Sequence, residues 1–109
     1  MTQSAPKPTD LDTTELVSTR VSEAVQVMKA MSNETRLKIL CSLMDGEKSV
    51  NQLAEFTDML LPAVSQHLAK LRASGLVESR RDAQTVYYRA ADGVGFVLVD
   101  ALCNYYKPK

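Results

Sequence analysis

From about Thr13 to Met31, apolar residues recur at helical spacing. Val21, Val25 and Met28 share one stripe, and Ala24, Val27 and Met31 widen it. A second helix is predicted to begin at Asn33, a good N-cap, with Glu34 near the positive end of the helix dipole. Leu37, Leu40, Cys41 and Met44 keep the helical spacing, and Gly46 stops it. Ser49 and Gln52 have the Ser-x-x-Gln form of a capping box, opening a short helix through about Thr57. A turn over 58–61 follows. Pro62 then sits in the first turn of a fourth helix, where its missing N–H costs little; Val64, Leu68 and Leu71 form its stripe and Gly75 ends it.

The pattern changes after Gly75. Stretches 75–81 and 85–89 are rich in β-formers and flank the polar turn Asp82-Ala83-Gln84, which reads as a β-hairpin. From about Val94 to Tyr106 the helical pattern returns, with Phe96, Val97, Leu98, Val99, Ala101 and Leu102 spread around most of the circumference. A helix apolar all round must be covered on several sides. The core of so small a chain covers one side, so a second subunit is expected on another, giving a homodimer through the first and last helices. Residues 1–12, polar and with two prolines, read as a disordered N-terminal arm, leaving 13–109 as one domain. The expected order is ααααββα, mainly α with a small β-hairpin.

With 109 residues and 45% hydrophobic content, the chain has the size of one domain and enough apolar material for a core. No apolar run approaches the ~18–20 residues of a membrane span, and no basic segment followed by an apolar one opens the chain. A cytoplasmic protein without membrane contact is expected. The formal net charge is zero, which argues against a generally polycationic nucleic-acid binder. The distribution is more informative: residues 1–60 carry six Lys/Arg against nine Asp/Glu, whereas 61–91 carry five against two. A local positive field is enough to steer a protein to phosphates, although an ordinary solvated surface explains the same charges. Cys41 and Cys103 lie 62 positions apart. In the cytosol such a pair is either reduced and buried or redox-active.

Three blocks then stand out: MSNETRLKILC (31–41), PAVSQHLAKLRASGLV (62–77) and RDAQTVYY (81–88). In this order and spacing they resemble the ArsR/SmtB family of bacterial repressors, over roughly residues 20–107. The cysteine closing the first block and the Asp-Ala-Gln-Thr-Val turn are most similar to the BigR/SqrR/HlyU branch. The resemblance implies a homodimeric winged helix-turn-helix that represses transcription from operator DNA. For that branch it also implies dithiol sensing of persulfides or oxidants rather than of metals. Two departures are visible. Leu60 stands where the family usually has a Ser or Thr cap, a loss of ~1 kcal/mol of helix stability that Asp58 would offset imperfectly. Cys103 lies one helical turn before the branch's second cysteine position, here Lys107, a displacement of ~6 Å along the axis.

Two short helices joined by a tight turn put the second where it enters a major groove. Ala63, Ser65 and Gln66 are then the expected base readers, Gln66 with the geometry to engage adenine bidentately. His67 and Lys70 would reach phosphate; a lone histidine serves packing or hydrogen bonding equally well. Arg80, Arg81 and Gln84 are expected at the hairpin tip, where a wing meets the neighbouring groove or backbone. Taken singly, each of these residues also reads as exposed surface. Cys41 and Cys103 are either a sensing pair or small buried apolar residues. The family's Cys-x-Cys metal motif is absent near 50–58 and the last helix has no histidine, so no metal or other cofactor is expected. The four tyrosines of 87–88 and 105–106 read as packing residues, and the methionines as core filler. An enzyme would need a base beside Cys41 or Cys103, and His67 belongs to the recognition helix, so no catalytic constellation is found. The rival readings are a winged-helix regulator that ignores thiol chemistry and a protein-interaction module.

Overall fold

A computed structural model of the chain describes residues 13–108; the arm expected over 1–12 lies outside them. The elements are α1 (Thr13–Met31), α2 (Glu34–Ser42), β1 (Lys48–Ser49), α3 (Val50–Thr57), α4 (Leu61–Ala73), β2 (Val77–Asp82), β3 (Thr85–Ala90) and α5 (Val94–Tyr106). The expected order is present, with one addition. The two-residue β1 joins the hairpin as a third antiparallel strand, in the order β1-β3-β2, pairing Lys48 with Tyr88 and Ser49 with Tyr87.

Local chemistry fixes the element ends. The Asn33 carboxamide oxygen accepts from the Arg36 N–H at 3.0 Å and opens α2. Ser49 Oγ accepts from the Gln52 N–H at 3.1 Å, and the Ser49 N–H donates to the Gln52 side chain at 2.8 Å, completing the capping box of α3. Gly75, at φ +74°, lets the chain leave α4 in the left-handed region. Three expectations need correction. The helical run does stop at Gly46, but α2 itself ends at Ser42 and a 3₁₀ turn, Leu43–Asp45, places Met44 outside the α-helix. Asp58 does not cap α4: it closes α3 in the left-handed region, its N–H bonded to the Ala54 and Glu55 carbonyls. The hairpin turn is only Ala83-Gln84, since Asp82 pairs with Thr85.

The core is built from α2, α3, α4, the root of the hairpin and α5. Ile39, Leu40, Leu53, Val64, Leu68, Leu71, Val77 and Val99 are buried at its centre. Gly95 allows α5 to reach it, because a Cβ at this position would run into the Leu76 side chain and touch Val27. The first-helix stripe does not face this core. Val21, Val25 and Met28 are exposed, Met28 by 58%, while Val27, Ala30 and Met31 pack inward. The last helix is likewise half-covered: Val94, Val97, Leu102, Tyr105 and Tyr106 lie on the surface, Val97 by 62%. Tyr88 is a packing residue as expected, but Tyr105 and Tyr106 pack only edge-to-face on each other.

Candidate DNA-binding face and thiol pair

Helix α4 starts without a side-chain cap. Leu60 occupies the N-cap position with extended backbone, and only its carbonyl bonds into the helix, accepting from Ala63 and Val64. Pro62, in the first turn, removes one of the N–H groups that would otherwise need a partner. Val64, Leu68 and Leu71 anchor one face of the helix in the core. The opposite face presents Ser65, Gln66 and Lys70 to solvent, with Ala63 half-buried beside them. This arrangement exposes a polar helix face while its back is held rigidly. His67 sits differently: it is half-buried and its Nδ1 is enclosed with no hydrogen-bond partner among the described residues. Burial first, then the charges of Arg36 and Lys70, hold its pKa below the usual imidazole value.

The hairpin separates its arginines. Arg81 pairs in register with Val86 next to the turn and is exposed, and Gln84 lies in the turn itself. Arg80 is not at the tip. It lies opposite Tyr87, donates from Nε and Nη2 to the Glu47 carboxylate at 2.7 and 2.8 Å, and stacks on the Tyr87 ring at 4.6 Å. The pairing holds the Glu47 carboxyl below its ordinary pKa and raises that of Arg80. Arg89 is paired with Glu78 across the strands. Glu47 had no signal in the sequence, because its partner is 33 positions away and neither residue belongs to a repeating pattern.

The two cysteines meet. Cys103 Sγ lies 3.0 Å from Cys41 Sγ and donates to it, and both thiols are free and half-buried. The displacement expected from the position of Cys103 therefore does not separate them: α5 crosses α2 at the level of Cys103, whereas Lys107 is exposed at the end of α5. Burial, followed by the neighbouring Cys103 thiol, pushes the Cys41 pKa up to about 12. Among the described residues no group of three or more His, Cys, Asp or Glu side chains is placed to hold a metal ion. No helix among them is long and apolar enough to cross a membrane.

A recognition helix with a polar outer face, packed behind a second short helix and beside a three-stranded wing, defines a winged helix-turn-helix DNA-binding regulator. Residues 33–79 match the bacterial regulatory proteins of the arsR family. The chain is 44% identical over 85 residues to the transcriptional activator HlyU of Vibrio cholerae, covering 78% of this chain and 79% of the relative. The solved structure of reduced HlyU from that organism superposes with a TM-score of 0.82, at 39% identity, over 86% of this chain and 99% of the other. The biofilm growth-associated repressor of Xylella fastidiosa is 37% identical over 90 residues, 83% of this chain and 79% of the relative. A homodimeric winged helix-turn-helix DNA-binding domain from Mycobacterium bovis has a TM-score of 0.71 at 33% identity, over 92% and 93% of the two chains. This chain belongs to the arsR family of bacterial regulatory proteins.

Proposed function

We propose that the chain is a homodimeric repressor that binds operator DNA through α4 and the wing and is released when Cys41 and Cys103 become linked. The observation that carries the thiol part is the 3.0 Å approach of the two sulfurs, one on α2 and one on α5. Closing that gap to the ~2.05 Å of a disulfide takes about 1 Å of movement. With a persulfide as inducer, a cysteine thiolate takes the outer sulfur and the donor leaves as a thiol. The second cysteine then attacks the inner sulfur of the new cysteine persulfide and hydrogen sulfide leaves. With an oxidant, the two thiols lose two electrons and two protons as the bond forms.

The exposed apolar residues Val21, Val25 and Met28 of α1 and Val94, Val97 and Leu102 of α5 support a dimer built on these helices. A link between α2 and α5 then ties the core behind the recognition helix to the dimer interface. The two recognition helices must match successive major grooves ~34–36 Å apart, so a small change of spacing weakens binding without touching a DNA-contacting residue. Ser65 and Gln66 are proposed to read bases with Ala63 against them. Lys70, Arg81 and Gln84 hold the backbone, Arg80 stands behind them tied to Glu47, and His67 lies at the inner edge of the helix.

The test is a DNA-binding titration of the wild type and of Cys41→Ser and Cys103→Ser, each reduced, oxidised and persulfide-treated, with the oligomeric mass measured alongside. Release of the treated wild type alone, with one intramolecular bridge in its mass spectrum, is expected. Release of the serine variants under the same treatment would refute thiol control. A monomeric mass at micromolar concentration would refute the dimer.

A further inference from the structure

Beside the outer face of α4, and away from the thiols, three helices flank an open cleft that carries several cationic side chains. The end of α1, the first turn of α2 and the later half of α4 surround a cavity of about 300 Å³, lined by Gln26, Lys29, Arg36, Lys70 and Ser74. No carboxylate lines it. Glu34, the acid in the first turn of α2, is engaged with Lys38 instead. Arg36 is fixed in place, its Nε donating to the Ala30 carbonyl at 2.6 Å, and its terminal nitrogens have no partner among the described residues. Lys29 and Lys70 likewise form no ion pair there. Three cations share one cleft with no counter-charge among the described residues.

Like charges lining one cleft favour an anion from outside as a counter-charge. Three cations with an amide and a hydroxyl supply more charge and more donors than a single carboxylate uses, and they suit the charge and oxygens of a phosphate. Half-buried His67 lies three residues before Lys70 on α4, and its pKa is lowered first by burial and then by the charges of Arg36 and Lys70. We infer that the α1–α2–α4 cleft binds a phosphate group, held by Lys29, Arg36 and Lys70.

The phosphate has two possible sources. Lys70 follows Gln66 by four residues on the exposed face of α4, so a DNA strand flanking the groove that α4 enters would bring a backbone phosphate to the cleft. A free phosphate is the other. In the first case Lys29, on a helix otherwise given to dimerisation, adds a DNA contact that goes beyond the face described above.

Lys29→Gln in the full chain separates these outcomes. Lys29 is exposed at the end of α1, so the variant should melt with the wild type. A phosphate contact acts on any sequence, so affinity for a random-sequence duplex is measured against salt. If DNA supplies the phosphate, the slope of log K against log salt falls by about one for the lost contact. In parallel, inorganic phosphate is titrated into the DNA-free protein while the ring protons of His67, the only histidine in the chain, are followed by NMR. A saturable shift with a raised His67 pKa in the wild type, absent from Lys29→Gln, with the salt slope unchanged, establishes a free-phosphate site. An unchanged slope together with no saturable shift overturns the inference. So does an equal slope change in Lys38→Gln, a lysine outside the cleft, because the effect would then be diffuse charge.

Discussion

Both carboxylate oxygens of Glu47 accept from the Arg80 guanidinium, which also lies over the Tyr87 ring. The contact joins the loop before β1 to the middle of the wing. It gives Arg80 a fixed position and occupies two of its five N–H donors. Exposed ion pairs contribute little to folding, so the contact is expected to act on the proposed DNA binding rather than on stability. Glu47→Gln should melt close to the wild type. The freed Arg80 should bind all duplexes more tightly, with a salt slope steeper by about one. Titrations at several salt concentrations check this; an unchanged slope would show that Arg80 stays clear of DNA.

Gln66 and Arg81 should fail in different ways. Gln66→Ala should cost ~1–3 kcal/mol of base discrimination and leave the salt slope alone. Arg81→Ala should weaken every sequence alike and lower the slope by about one. Competition between operator and random duplexes separates the two, and equal loss of discrimination in both variants would contradict the assignment.

The close approach of α5 to Leu76 makes Gly95 hard to replace. Gly95→Ala places a methyl group in space held by the Leu76 side chain, so α5 must shift or Leu76 must leave its rotamer. Overpacking of this kind costs ~1–3 kcal/mol. Urea denaturation should show a lowered midpoint, whereas Val97→Ala, on the exposed side of α5, should leave the fold of the isolated subunit intact.

The Cys41 thiol should react slowly. Burial and the neighbouring thiol push the Cys41 pKa up to about 12, so Cys41 stays protonated at neutral pH and resists alkylation. Limited alkylation at pH 7 should therefore label Cys41 more slowly in the folded protein than in the denatured chain. The same shift carries a stability signature. The folded state keeps the Cys41 proton to higher pH than the unfolded chain, whose thiol titrates near 9.0, so the wild type loses stability as pH rises from about 9 toward 12. Cys41→Ala should lose less over that interval in paired chemical denaturations.

Much of the fold was legible because its signals are local. Asn33, the Ser49–Gln52 box, Pro62 and Gly75 each act within one turn of helix, and each marks a boundary within a residue or two of its place. The strand β1 was not legible, since Lys48 and Ser49 pair with residues 40 and 38 positions later and are too short for a period. The apolar stripe of α1 was found but its direction was not: Val21 and Val25 mark a face that a single chain leaves open. Of the candidate site, the outer face of α4 follows from helical periodicity. The partner of Arg80 and the meeting of Cys41 with Cys103 depend on how distant segments cross, which spacing alone does not encode.

The contact between Cys41 and Cys103 also has a meaning in chain topology. The 62-position span from one to the other contains α3, α4 and the whole wing, so a covalent bond there would draw the entire proposed DNA-reading unit into one closed loop. Closing a loop of this length removes freedom from the unfolded chain worth ~4 kcal/mol at 25 °C in the loop-entropy account. The linked form would then be the harder of the two to unfold. In the proposed switch, a released regulator would stay folded until reduction returned it to DNA.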